Sequence, residues 1–91
     1  MGAVTEAIRI KLSAAFSPTR LEIEDDSARH HGHAGASLGG ESHFNVVIEA
    51  KGFEGLGRVQ RQRAIHAALA EELAGPVHAL SLKALAPGEA G

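Results

Sequence analysis

Residues 71–84, EELAGPVHALSLKA, mark the place where a long helix ends and a strand begins. Gly75 stands where a helix C-terminal cap is expected, and Pro76 follows it because proline cannot continue a helix. The alternation of apolar and other residues over 77–84 predicts a strand. Its core-facing residues are predicted to be Leu80, Leu82 and Ala84. His78 is in phase with them at the start of this strand.

Two elements before this junction complete a strand–helix–strand unit. Residues 43–50, HFNVVIEA, alternate and predict a strand, with His43 at its first position on the opposite face from the apolar residues. The apolar face consists of Phe44, Val46, Ile48 and Ala50. A second apolar group with helical spacing predicts a helix that runs to about Leu73. This group consists of Ile65, Leu69 and Leu73, with Val59 on the flank. Such a crossover ordinarily makes the flanking strands parallel.

The chain begins with a further helix and strand. An apolar face at intervals of three and four predicts a helix that ends at Ser17, because Pro18 keeps the residue before it out of helical geometry. The residues of this face are Val4, Ile8, Leu12, Ala15 and Phe16. Leu21 and Ile23 alternate with glutamates, which predicts a strand with both apolar side chains toward the core. The element order predicts an α+β domain with a three-stranded mixed sheet and helices packed on one face.

Between the first two strands, residues 25–42 form a predicted glycine-rich loop that contains three histidines. They are His30, His31 and His33. Connections above about 12 to 15 residues are uncommon in compact domains and are usually functional or disordered. The loop ends where the second strand starts, and the crossover brings the start of the third strand to the same end of the sheet. His43, His78 and the loop histidines are therefore predicted to converge there. The alternative is that the loop histidines are solvated and bind nothing.

Imidazole is the commonest metal-binding side chain, and the chain has six histidines and no cysteine. Neither an H-E-x-x-H nor a C-x-x-C pattern is present, so a self-contained tetrahedral site is not expected. Two or three histidines at the rim of the domain would instead donate open-sided ligands to a metal centre held mostly by another molecule. A structural role is the alternative for His78. For His66, near the edge of the apolar stripe of the long helix, packing is the preferred interpretation.

The length of 91 residues corresponds to one small domain, and a formal net charge of -2 provides no general attraction to a polyanion. The absence of cysteine fits a reducing compartment, and no signal peptide or membrane span is recognisable, so a cytoplasmic location without membrane attachment is predicted by default. No nucleophile motif or carboxylate pair indicates catalysis, so we predict that the chain is not an enzyme. Residues 87–91 are predicted to form a flexible C-terminal tail.

Four pieces of the sequence together resemble the BolA-like protein family. They are Glu41-Ser-His43-Phe44, Phe53-x-Gly55, Arg61-Gln62-Arg63 and the run AEELAGPVHAL at residues 70–80. The resemblance assigns residues 1–86 to a BolA-like domain. It implies an alpha-beta-beta-alpha-beta core similar to the class II KH fold, sometimes with a short extra helical turn before the long helix. The family's usual Arg-His-Arg is replaced here by Arg-Gln-Arg.

The resemblance implies a monothiol glutaredoxin as partner and a bridging 2Fe-2S cluster held by glutaredoxin cysteine, glutathione thiolate and ligands of this chain. No cofactor is expected when the chain is alone. The family's ligands match His78 and a cysteine or histidine of the loop between the first two strands. Because the loop offers no cysteine, His33 is the first choice, with His31, His30 and His43 as competitors. Histidine in place of a thiolate raises the reduction potential of such a cluster, which suits a cluster that is sensed or passed on.

The resemblance also implies a rival function, because BolA-like proteins are often described as transcriptional regulators that bind DNA. Residues 52–55, GFEG, match the GXXG pattern with which KH domains clamp a nucleic-acid backbone, although Glu54 places a negative charge there. A positive patch around the helix N-terminus is predicted to contain Lys51, Arg58, Arg61 and Arg63. The alternative for each arginine is a solvated helix face with salt bridges. A third hypothesis is a protein-interaction module whose histidines are incidental.

Overall fold

Three strands form one sheet in the order β1-β2-β3, with β1 antiparallel to β2 and β2 parallel to β3. The computed structural model describes residues 2–26 and 43–89. Its elements are α1 (Ala3–Phe16), β1 (Arg20–Asp25), β2 (His43–Glu49), a 3₁₀ turn (Lys51–Phe53), α2 (Arg58–Ala68), α3 (Ala70–Ala74) and β3 (Ala79–Leu85). The predicted α+β fold with a mixed sheet is confirmed. The class II KH label stays a prediction.

The strand register places most apolar side chains of the three strands on one face of the sheet. Ile48 in the central strand is paired with Leu21 on one side and with Ala84 on the other. The helices pack on this face and contribute Ile8, Leu12 and Ile65, which are fully buried with Ile48 in one cluster. Side chains of alternate residues therefore lie on the opposite face, which carries Glu22, Asn45, Val47, Ser81 and Lys83.

α1 ends at Phe16, as the proline at position 18 predicts. Ser17 adopts left-handed geometry with φ of 46°, and its N–H donates to the Ser13 carbonyl at 3.0 Å. This bond satisfies one of the carbonyl groups that a helix end otherwise leaves without a partner. The alternation predicted for the first strand is also confirmed, because Leu21 and Ile23 pack against the core cluster.

The helix predicted to run to about Leu73 is divided into α2 and α3. Leu69 lies between them with φ of -106° and ψ of 22°, outside helical geometry, although its N–H still donates to Ile65 at 3.0 Å. In α3, Glu71 and Glu72 contact Lys11 of α1, with Nζ to carboxylate distances of 2.8 and 2.7 Å. Hydrogen bonds to these two glutamates raise the pKa of Lys11, so the ammonium group stays charged and joins α1 to α3.

β3 begins at Ala79, two residues later than the alternation predicts. Val77 is buried in the core cluster, whereas His78 precedes the strand and is exposed. At the other end of β3, residues 87–88 form a turn, and Glu89 pairs with Arg61 through contacts of 2.6 and 2.9 Å. The first part of the segment assigned to a flexible tail is therefore attached to α2, while residues 90–91 lie outside the described part.

Candidate functional site

The end of the sheet at which β1 finishes and β2 and β3 begin is called here the histidine end. Asp25 pairs with Phe44, and the Asp26 N–H donates to the His43 carbonyl at 2.7 Å. His43 in turn pairs with Ala79, the residue after His78. The structure therefore brings both boundaries of the 27–42 segment to the place where His78 lies, as the predicted pairing of the three strands requires.

His78 is exposed on a backbone that its neighbours hold on both sides. Val77 is 4% exposed, and its N–H donates to the Glu72 carbonyl at 2.9 Å. Ala79 belongs to the β2–β3 pair. The contacts of Lys11 with α3 anchor the helix that leads into this junction. An exposed imidazole at this position is accessible to another molecule, and the backbone that carries it is ordered before binding.

His43 lies on the face of the sheet opposite the core, as predicted, and is half-buried. It borders a hollow of about 200 Å³ that is also lined by Asp26, Asn45 and Ser81. Within residues 2–26 and 43–89, no three histidine, cysteine, aspartate or glutamate side chains are grouped closely enough to hold a metal ion. The predicted ligands of the loop, His30, His31 and His33, lie outside the described residues. His66 is exposed on α2, which contradicts the packing interpretation.

The predicted positive patch divides into one side chain that is largely covered and three that are exposed. Lys51, Arg58 and Arg63 are exposed. The side chain of Arg61 is only 12% exposed and makes a bidentate contact with Glu89. For this arginine the alternative of an intramolecular salt bridge describes what the structure contains, because a carboxylate already occupies the donors that a phosphate would need.

Arg61 links three parts of the chain. Its Nε donates to the Leu56 carbonyl at 2.9 Å, and its Nη1 donates to the Ala84 carbonyl at 3.0 Å and to Glu89 at 2.6 Å. The second oxygen of Glu89 accepts from Nη2 at 2.9 Å. The hydrogen bonds from Arg61 and from the Ala86 N–H lower the pKa of Glu89 to about 2, so this carboxylate is ionised at neutral pH.

The GXXG segment contributes one side chain, that of Phe53, to the core, whereas Gly52, Glu54 and Gly55 are exposed. Phe53 is 0% exposed, and its ring centroid lies 5.0 Å from that of Phe16. The N–H groups of Phe53 and Glu54 donate to Ala50 and Lys51 within the 3₁₀ turn. Gly57, just before α2, donates its N–H to the Gln60 side chain at 2.9 Å. These donors are used internally, whereas a KH clamp directs its loop at the nucleic-acid backbone.

Sequence reasoning missed the two polar contacts that hold this architecture together. Lys11 and Glu72 are on separate helices, and Glu89 was assigned to a tail. The only sequence signals were opposite charges on two amphipathic helices, and such charges are equally common on solvated surfaces. Within the described ranges, no helix has the length and apolar character that crossing a bilayer requires.

The fold is that of solved BolA domains. The BolA domain of SufE1 from Arabidopsis thaliana superposes with a TM-score of 0.87 at 40% sequence identity, covering 99% of both chains. A sequence model of the BolA-like protein family matches residues 12–89, and the chain therefore belongs to this family. It is 52% identical over 91 residues to BolA-like protein 1 of Pongo abelii, covering 100% of this chain and 64% of that protein. The chain thus spans slightly less than two thirds of this relative.

Two further relatives carry names that differ in location and activity. The protein named BOLA1, chloroplastic, from Arabidopsis thaliana is 45% identical over 90% of this chain and 52% of its own length. The protein named DNA-binding transcriptional regulator BolA, from Escherichia coli strain K12, is 47% identical over 87% of this chain and 71% of its own length. One of these names therefore refers to a compartment and the other to transcriptional regulation.

Proposed function

We propose that the chain is a non-catalytic adaptor that binds a monothiol glutaredoxin and helps to ligate, transfer or sense a 2Fe-2S cluster. The observation that carries the proposal is the histidine end: exposed His78 follows buried Val77 and precedes Ala79, the partner of His43. The segment with His30, His31 and His33 is attached to the same end. We also propose a cytoplasmic location for the chain. One relative is named chloroplastic, so this location stays a prediction.

The donor chemistry of the chain fits a shared cluster. The sequence contains no cysteine, so this chain offers imidazole nitrogen and the thiolates come from the partner and glutathione. Nitrogen ligands on one iron reduce the negative charge of the site and raise its potential, which favours a cluster that changes redox state or is passed on. His78 is the first ligand in this proposal, and His33 is preferred as the second over His31, His30 and His43.

The test is to mix the chain with a monothiol glutaredoxin that carries its cluster and to record visible absorption and circular dichroism. We expect both spectra to change on mixing, with saturation at a fixed ratio of the two proteins, because ligand exchange at iron alters the charge-transfer bands. Spectra that equal the sum of the separate components would contradict cluster ligation by this chain. Size-exclusion chromatography of the same mixture reports whether the two proteins associate.

DNA binding is the second candidate, favoured by the name of the Escherichia coli relative and by three exposed cations near the start of α2. These cations are Lys51, Arg58 and Arg63. Arg61 is left out of this surface because Glu89 already pairs with it. The net charge of -2 means that any attraction for phosphate is local to this surface.

If DNA binds there, replacing either Arg58 or Arg63 by glutamine should weaken binding to duplex DNA, and the loss should be the same for different DNA sequences. Each lost phosphate contact should reduce the magnitude of the negative slope of log affinity against log salt by about 1. Fluorescence anisotropy between 50 and 200 mM salt, roughly the range over which such contacts are screened, measures this slope. A salt-independent affinity, or one unchanged in both variants, would exclude this surface. Glu71→Gln provides a control at an exposed helix position away from it.

A further inference from the structure

A groove lies at the opposite end of the sheet from the histidines. It has a volume of about 520 Å³ and is called here the arginine groove. Its walls are formed by Leu56 before α2, by Arg58 and Gln62 of α2, by residues 82–85 of β3, and by Arg61 with its partner Glu89. The cluster function proposed above uses none of these residues, so an inference drawn from the groove is independent of it.

The edge strand β3 exposes backbone groups along this groove. The Leu85 carbonyl faces β2 and accepts from the Ala50 N–H at 3.0 Å. Because successive carbonyls of a strand point in opposite directions, the Ala84 carbonyl faces outward, where it accepts from Arg61 Nη1 at 3.0 Å. Leu82, two residues earlier, presents its backbone in the same outward direction. An extended peptide that adds to a sheet edge uses such groups.

Arg61 holds a fixed position in the groove. Its contacts with the Leu56 and Ala84 carbonyls join it to the loop before α2 and to β3, and neither contact depends on Glu89. The guanidinium therefore keeps its orientation when the carboxylate is removed, and Nη2 then faces the groove. Two further cations, Arg58 and Lys83, line the same groove and are exposed, and neither forms an ion pair within the described part of the chain.

The pairing of Glu89 with Arg61 shows that the guanidinium in this groove binds a carboxylate. The two carboxylate oxygens of Glu89 accept hydrogen bonds from Nη1 and Nη2 of Arg61 at 2.6 and 2.9 Å, and Oε1 also accepts from the Ala86 N–H at 2.8 Å. The side chain is nonetheless 43% exposed, and it reaches the groove from a short turn after β3. A carboxylate held by a short turn after β3 can be displaced without unfolding the core.

We propose that the arginine groove is a docking site for an acidic peptide segment of a partner protein, and that Glu89 occupies its carboxylate position in the absence of that partner. A carboxylate of the peptide replaces Glu89 on Arg61, while Arg58 and Lys83 attract neighbouring acidic residues. The outward backbone of Leu82 pairs with the peptide main chain. Carboxylate is preferred over phosphate as the occupant because the planar, bidentate geometry is already present with Glu89.

The experiment measures binding of a blocked octapeptide of alternating glutamate and alanine to the full chain and to Glu89→Ala. Removing the Glu89 carboxylate should raise the affinity for the peptide about tenfold. In the wild type only a small fraction of molecules has Arg61 free to bind the peptide, whereas in the variant most molecules do. Isothermal titration calorimetry measures the affinity, and amide shifts of residues 82–85 locate the peptide. Inorganic phosphate and duplex DNA are titrated in parallel. An octapeptide with glutamine in place of glutamate is the control ligand.

Glu71→Ala is the matched control variant, because it makes the same change in net charge at a position that contacts Lys11 instead of Arg61. Equal gains in Glu71→Ala and Glu89→Ala would assign the effect to net charge and overturn the proposal. So would unchanged peptide affinity in Glu89→Ala, or a gain for phosphate or DNA without one for the peptide. Adding Arg58→Ala to the Glu89→Ala variant changes only exposed groups and should reverse part of the gain.

Discussion

Phe53→Ala is expected to lower the free energy of unfolding by about 3–5 kcal/mol, the range found when a buried phenylalanine is truncated. The side chain is 0% exposed and packs against Phe16 with ring centroids 5.0 Å apart. Its removal leaves a cavity under the 3₁₀ turn that joins β2 to α2. Since small domains are stable by only about 5–15 kcal/mol, this one change removes a large share of the total.

Urea unfolding followed by far-ultraviolet circular dichroism measures this change. Val59→Ala is the control, because Val59 is also apolar but is 59% exposed, and its truncation should alter stability by less than about 0.5 kcal/mol. Similar losses in the two variants would show that Phe53 is not part of the core. The GXXG segment would then be open to the nucleic-acid role that the sequence pattern suggests.

His78→Ala is expected to remove the spectral change that the chain causes in a cluster-loaded glutaredoxin. Without His78 the chain would supply one ligand fewer than the shared cluster needs, so the cluster should stay with the glutaredoxin and glutathione, and the visible circular dichroism should be that of the glutaredoxin alone. Because His78 is exposed and precedes the strand, the substitution should change the free energy of unfolding by less than about 0.5 kcal/mol. Loss of the signal therefore reports ligation.

His66→Ala is the matched control for this substitution, since His66 is also exposed but lies on α2. Its spectra should be those of the wild type. Single alanine substitutions of His30, His31, His33 and His43 then identify the second ligand, with His33 expected to have the largest effect. A His78→Ala variant with wild-type spectra would exclude His78 as a ligand while leaving association with glutaredoxin to be measured separately.

Most of the fold was predictable because its signals are local. The alternation over 43–50 and the helical spacing of α1 each depend on neighbours within a few residues, and the structure confirms both. The crossover rule extended these signals to the parallel pairing of β2 with β3. The division of the long helix at Leu69 was not predictable, because no proline or glycine occurs there to indicate it.

The candidate site was predictable only in outline. Its position at one end of the sheet followed from element order, and the structure places the starts of β2 and β3 side by side there, with His43 paired to Ala79. The identity of the second ligand stays a prediction, because three of the candidates, His30, His31 and His33, lie outside the residues that the structure describes. For Arg61, composition and spacing alone did not distinguish a phosphate contact from an internal ion pair.

The sequence by itself determined the order of helices and strands, apart from the division of the long helix, together with the faces that become the core and the absence of any thiol ligand. These properties depend on residue type and local periodicity, which are present before the chain folds. Only the tertiary structure decided that Arg61 forms an ion pair with Glu89, 28 residues away, and that Lys11 forms one with Glu71, 60 residues away. The spacing of charged residues in the sequence does not indicate which of them will meet. Their partners are decided by how the core packs the helices and strands that carry them.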